Sequence, residues 1–210
     1  MPRDPKIQPP LELTRKDLDP NPFRQFDHWF QEAVASVQLL PEAMALATVS
    51  REGRPSIRTV LLKDLDQEGF VFYTNYESQK AKELDHNPNA ASVFHWSELH
   101  RQICIKGTVS KIPQEKSETY FQKRPRGSQL SALASEQSQP LSCRKELERR
   151  FKSLERKHKG KMIALPSNWG GCRLNPSKIE FWQGRPDRLH DRFVYVRQDD
   201  GLWLIKRLNP

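Results

Sequence analysis

Between Phe181 and Arg192 the chain reads FWQGRPDRLHDR, which sets two aromatics, three arginines and a histidine within twelve residues. A buried strand alternates apolar and polar residues and keeps its charges at its ends. Here Arg185, Arg188, His190 and Arg192 crowd around one Gly-Arg-Pro turn, a cluster suited to an anion or a flat ring. A second set lies upstream. Arg58 and Lys63 fall in one strand-like run at odd separation, so strand alternation predicts that they point to opposite faces and serve two different phosphates, unless they are edge charges. Tyr120 and Arg124 lie one helical turn apart, and Ser128 follows just past Pro125. A hydroxyl, a guanidinium and a second hydroxyl suit a phosphate monoester, although a helix end with a capping serine is the commoner meaning of these residues.

Neither GxGxxG after a strand nor GxxxxGK(S/T) occurs, so a phosphate must be held by side chains. Cys104, Cys143 and Cys172 are widely spaced, with no CxxC pair and no histidine at zinc-ligand spacing; reduced thiols and no metal site are expected.

The elements that must position these residues follow from periodicity. The first twenty residues, rich in proline and charge, read as a mobile arm, and residues 21–210 as a single domain. Asn21 offers an N-cap with Pro22 at the first helical position, and Phe23, Phe26, Phe30, Ala33 and Val37 recur every three or four residues, which predicts an amphipathic helix ending before Pro41. Strand-like runs then follow: AMALATVS, SIRTVLLK and FVFYT, with turns at Glu52-Gly53 and Gly69. A short helix over Ser78 to Leu84 stops at Asn87-Pro88, and AASVFHW and RQICIKGTVSKI read as two more strands. Pro113 to Lys123 reads as helix broken by Pro125, and CRLNPSKIEFW, RFVYVRQ and LWLIKRL close the chain as strands. The sum is an α+β fold, an antiparallel sheet with helices packed outside, closed as a barrel.

A chain of 210 residues suffices for one sizeable core. Its apolar content is 36% and its mean hydropathy −0.81, so either much surface is charged or apolar surface is hidden between subunits. No apolar run approaches membrane-spanning length, and MPRDPKIQPP lacks the apolar core of a secretory signal; a cytoplasmic protein without membrane partners is expected. The net charge of +9 fits nucleic acid, an acidic membrane surface or phosphorylated small molecules alike. Its densest block, Arg144 to Lys161, carries Leu147, Phe151 and Leu154 at helical spacing and reads as an amphipathic helix with a solvated basic face.

Six strings recur in the order typical of one family: RTVLLK from Arg58 to Lys63, FYTNYESQK from Phe72 to Lys80, RQICIKG from Arg101 to Gly107, YFQKRPRGSQ from Tyr120 to Gln129, EQS from Glu136 to Ser138, and FWQG with RLHDR. From about Asp17 to Pro210 the chain resembles the pyridoxine 5′-phosphate oxidases, flavoproteins with a split β-barrel that dimerises and holds FMN at the subunit interface. The resemblance implies FMN contacts from Arg58, Thr59, Val60, Leu61, Leu62, Lys63, Tyr73, Thr74, Gln79, Lys80, Gln102, Gln137, Ser138, Trp182 and Arg192, with Arg58 and Lys80 on its phosphate. It implies that Lys63, Tyr120, Arg124 and Ser128 grip the substrate 5′-phosphate. Arg188, Leu189 and His190 match the residues over the substrate ring, Arg188 and His190 being the catalytic pair.

The implied reaction takes a hydride from the exocyclic carbon of pyridoxine or pyridoxamine 5′-phosphate onto the flavin, and O2 is reduced to H2O2, leaving pyridoxal 5′-phosphate. Two places depart from the family pattern. Gln79 stands where the usual SRK has arginine, which removes one cation from the flavin phosphate, and the Arg-Arg-x-Tyr segment of many members is missing near Pro5 to Gln8. The SQK variant keeps two other readings open: a phenazine-biosynthesis type of flavin oxidase, and a member that binds without turnover. A basic nucleic-acid-binding module using Arg144 to Lys161 is the rival from another class; it leaves the phosphate-binding strings unexplained.

Overall fold

The computed structural model describes residues 12–36 and 39–210. Helix α1 (Pro22–Ala35) begins as its sequence requires: the Asn21 side chain accepts from the Phe23 N–H at 2.9 Å, and Pro22 occupies the first turn. Its apolar face buries Phe23, Phe26, Trp29 and Ala33, with Phe30 partly covered, while Val37 lies outside the described residues. The arm expected over residues 1–20 needs correction where it can be seen. Residues 1–11 lie outside the described residues, but Leu13 and Leu18 are only 6% and 5% exposed and belong to the main core. Two anchoring leucines are enough to dock a segment whose average composition is polar.

Nine strands follow: β1 (Ala43–Val49), β2 (Pro55–Leu61), β3 (Asp64–Asp66), β4 (Gly69–Asn75), β5 (Asn89–Trp96), β6 (Arg101–Lys111), β7 (Trp169–Gln183), β8 (Asp191–Arg197) and β9 (Trp203–Leu208). All pairings are antiparallel, in the order β2-β1-β5-β6-β7-β4-β3, with β8 joined to β7 and β9 to β8. The long β7 causes the split. One edge runs along β6 from Cys172 to Gln183; the other is shared, Trp169 to Leu174 pairing with β4 and Lys178 to Gln183 with β8. The register shifts between Lys106 and Gly107, and a Cβ on Gly107 would come within 2.0 Å of the Asn175 carbonyl oxygen, so this bulge needs glycine. The sheet therefore curls as a split half-barrel, and its ladder is not hydrogen-bonded into a ring: β2, β3 and β9 are its edges among the described residues.

The core inside the curl is aromatic, with Phe26 edge-on to Phe70 and Phe94 at 4.9 and 5.0 Å. A second, smaller cluster of Phe121, Leu130, Ile163 and Trp169 sits under the helices α3 (Gln114–Lys123), α4 (Arg126–Ala134) and α5 (Arg144–Lys157). Sequence periodicity does not disclose α4, because Pro125 reads as a breaker; it also stands at the N-cap of a new helix that begins at Arg126. Helix α5 buries no residue, and Phe151 and Leu154 only lean on the smaller cluster, so its basic face is solvated as expected. All three cysteines are free thiols. No described helix is long and apolar enough to cross a membrane, and no cluster of metal-ligating side chains occurs among the described residues.

Candidate active site

Strands β2 and β4 and helix α2 (Gln79–His86) enclose, with α3 and α4, a cavity of about 770 Å³. It brings together Arg58, Thr59, Val60, Leu61 and Lys63 from the first run, Tyr73, Thr74, Gln79 and Lys80 from the second, Tyr120 and Arg124 from α3 and its cap, and Gln137 and Ser138 from the segment after α4. Leu62 alone of the first run does not line the cavity; it is buried in the core, to which Val60 also contributes. The opposite facing expected of Arg58 and Lys63 is corrected: both line one cavity. Strand β2 ends at Leu61, the Leu62 N–H goes to the Glu42 carbonyl and the Lys63 N–H to the Val71 carbonyl, so alternation stops before Lys63.

Lys80 is the best-shielded cation of the cradle. It sits in the first turn of α2 at 8% exposure, and its ammonium donates to Thr74 Oγ1 at 3.1 Å, Gln137 Oε1 at 3.1 Å and Ser78 Oγ at 3.3 Å. These oxygens are neutral, so none cancels its charge. Burial, and then the Arg58 charge, push its pKa below the usual lysine value. Ser138 holds φ at +72°, in the left-handed region that costs a non-glycine residue energy, and its hydroxyl accepts from the Gln79 N–H at 3.2 Å. Gln137 and Ser138 are thereby fastened to the start of α2.

On the opposite wall the Tyr73 and Tyr120 rings stack with centroids 3.9 Å apart, and Trp169 lies parallel at 5.3 Å from Tyr73. Burial, reinforced by Tyr120, raises the Tyr73 phenol to about 12. The Arg124 guanidinium lies 4.6 Å from the Trp169 ring. Its Nη1 is buried without a hydrogen-bond partner among the described residues, and burial lowers its pKa. A buried, unsatisfied guanidinium nitrogen on a cavity wall is an anion-binding group in waiting. Trp169 is a site residue that sequence reasoning missed; the available signal was a tryptophan directly before Gly170-Gly171 at a strand start. Ser128 does not line the cavity, since the new helix α4 places it in its first turn, where its N–H bonds the Pro125 carbonyl at 2.8 Å.

The remaining expected residues form a second group. Gln102, Trp182 and Arg192 are directly opposite one another across β6, β7 and β8, and so share a face. The Trp182 and His190 rings are 4.6 Å apart. The Arg185 N–H donates to His190 Nδ1 at 3.1 Å, which leaves Nε2 as the proton-bearing nitrogen of the neutral ring. Asp187 and Arg188 take φ of +58° and +61°, a strained turn that ends at the 69% exposed Leu189. Buried Asp191 ties this turn down: it accepts from the Leu13 N–H at 3.1 Å, pairs with Arg185 at 3.7 Å and bonds Arg207 of β9. None of these residues lines the cavity that holds the first group.

Both parts of the chain resemble known proteins. Residues 30–158 match the family described as pyridoxamine 5′-phosphate oxidase. The chain belongs to the pyridoxamine 5′-phosphate oxidase family. Residues 169–210, which carry the whole second group except Gln102, match the family's C-terminal dimerisation region. A relative from Crocosphaera subtropica named pyridoxine/pyridoxamine 5′-phosphate oxidase is 54% identical over 200 residues, covering 94% of each chain. One of the same name from Rubrobacter xylanophilus is 51% identical over 198 residues, covering 94% of this chain and 91% of its own. Among solved structures, PhzG from Burkholderia lata in complex with tetrahydrophenazine-1-carboxylic acid superposes with a TM-score of 0.90 at 28% identity, covering 97% of this chain and all of that one. A pyridoxamine 5′-phosphate oxidase-related, FMN-binding protein from Nostoc punctiforme shares the fold with a TM-score of 0.74 at 19% identity, covering 92% of this chain and all of that one.

Proposed function

We propose that this protein oxidises pyridoxine 5′-phosphate or pyridoxamine 5′-phosphate to pyridoxal 5′-phosphate with FMN as cofactor, O2 being reduced to H2O2, and that it works as a homodimer with FMN at the subunit interface. The observation that carries this reading is the convergence of Arg58, Lys63, Lys80 and Arg124, from three segments of the chain, on one cavity beside a parallel stack of three aromatic rings. Two of these cations, Lys80 and Arg124, have no carboxylate partner in the hydrogen bonds described above. They fit a ligand that carries both phosphate and flat rings, and the cavity volume is within the range of cofactor sites. The relatives at 54% and 51% identity, named as this oxidase, support the substrate class. The three free thiols agree with a cytoplasmic setting.

In this reading Arg58, Thr74, Lys80, Gln137 and Ser138 hold the FMN phosphate and ring edge, and Tyr73 with Tyr120 offers them a rigid wall. FMN, when bound, supplies the hydride acceptor. Lys63, Tyr120 and Arg124, with Ser128 at the edge of α4, hold the substrate phosphate and so fix where the pyridine ring lies. Gln102, Trp182, Arg188, Leu189, His190 and Arg192 of one copy complete the cavity of the other. There Arg188 covers the substrate ring, and His190 presents its Nε2 proton to the reacting substituent. Glycine at 184 lets the turn pack tightly, since a Cβ there would meet His100 at 3.0 Å.

The test is an FMN titration followed by anaerobic addition of pyridoxine 5′-phosphate. Bleaching of the visible flavin band supports the proposal. A bound flavin that keeps its colour with this substrate, or no flavin binding, overturns it.

A further inference from the structure

Glu83 does not line the cavity and is not one of the residues expected to act there, yet it gathers groups that face it. Its Oε2 accepts from the Ser56 hydroxyl at 2.6 Å, from the Thr48 hydroxyl and from Arg58 Nη2 at 3.2 Å, and Oε1 accepts from Gln79 Nε2 at 2.9 Å. The residue is 7% exposed, on the buried side of α2. Burial alone would raise its pKa; the hydrogen bonds from Ser56, Thr48, Gln79 and Arg58 together outweigh that and hold the carboxyl down at about 2. It is therefore a permanent negative charge beside the cradle.

We propose that Glu83 is a positioning residue that weakens the hold on the cofactor phosphate by competing with it for Arg58 and Gln79. The inference rests on the reading that the cavity takes a phosphorylated flavin. The terminal nitrogens of Arg58 are already committed, Nη1 to the Leu46 carbonyl and Thr48 and Nη2 to Ser56 and Glu83. A phosphate brought against Arg58 either displaces the carboxylate or shares a cation whose charge is already met, and the two anions repel each other at short range. Lys80 escapes this competition, because its partners are neutral hydroxyl and amide oxygens. Gln79, where the family pattern has arginine, is turned back onto the same carboxylate. A cation at position 79 would satisfy Glu83 and return the Arg58 charge to the cavity.

FMN and riboflavin binding, followed by flavin fluorescence in the full-length protein, tests this in the wild type, Glu83→Gln and Gln79→Arg. Riboflavin carries the same ring without the phosphate, so an effect routed through Arg58 registers with FMN alone. Glu83→Gln is expected to tighten FMN binding about tenfold, and Gln79→Arg, at an exposed position, several-fold; riboflavin binding stays unchanged in both. Unchanged or weaker FMN binding in Glu83→Gln overturns the proposal, as does a gain shared by riboflavin. Should Glu83→Gln fail to fold, Gln79→Arg decides in its place: its gain must vanish when combined with Arg58→Gln, and a gain that persists overturns the proposal. A wild-type protein that binds neither flavin refutes the flavin reading itself and this inference with it.

Discussion

The cradle around Lys80 and the turn at Arg188 are both built from cations, aromatics and hydroxyl or imidazole groups, yet the chain supports them by opposite means. In the cradle three of the four cations are shielded, Lys63 being the exposed one, and each of the three is held by side chains: Lys80 by Thr74, Ser78 and Gln137, Arg58 by Thr48, Ser56 and Glu83, Arg124 by the Trp169 face. At the turn Arg188 and Leu189 are exposed, Asp187 and Arg188 sit in left-handed backbone, and order is imposed by the single buried carboxylate of Asp191. A pocket that binds tightly tolerates enclosure. In the proposed dimer the turn serves the second copy of the chain, and a group with that task has to stand out from its own copy, aimed by the strained backbone.

The sharpest way to break this comparison is at Arg188. Arg188→Ala is expected to lower kcat about 10²–10³-fold while the protein keeps its FMN, as loss of a group acting mainly in the transition state does; a steady-state assay beside a flavin absorbance measurement checks both. If the turn of one copy serves the cavity of the other, mixing subunits of Arg188→Ala and Lys80→Ala restores activity. Half of the randomly mixed dimers are hybrids with one intact site each, so about a quarter of wild-type activity returns. No recovery would place the two groups in one copy's site.

Lys80→Ala alone should weaken FMN binding about 10–100-fold, the effect of losing a charge-assisted hydrogen bond in a shielded place, and leave the thermal midpoint almost unchanged; equilibrium dialysis measures the first. Asp191→Asn tests the turn without touching the cavity. It should cost about 1–3 kcal/mol of stability, visible as a lower Tm, and reduce turnover more than FMN affinity.

The smallest effect concerns acid. Glu83 titrates at about 2 in the folded chain against an ordinary 4.5, so its stabilisation is complete above about 4.5 and is lost as pH falls from there towards 2. In Glu83→Gln that segment of the stability profile should flatten. Urea unfolding between these pH values shows whether it does.

Local signals determined much of this protein. The Asn21-Pro22 cap, the strand alternation of β1, β2 and β5, the basic helix α5 and the charged turn after Trp182 were all readable, because each depends on residues adjacent in the chain. The six family strings likewise marked most cavity residues, from Arg58 to Ser138. Other features depended on contacts that no local window contains. Two leucines, at 13 and 18, dock a segment whose composition reads as mobile. The departure of the chain from β2 at Leu62 turns Lys63 towards Arg58, and Trp169 becomes a site residue only when β7 brings it beside Tyr73 and under Arg124. Glu83, an unremarkable acid in a helical run, acquires its partners from β1, β2 and its own helix only through the packing of α2 on the sheet. The separation of the Arg188 turn from the cavity is likewise tertiary: strand order decides that β8 joins the far half of β7, while β4 and the cradle join the near half.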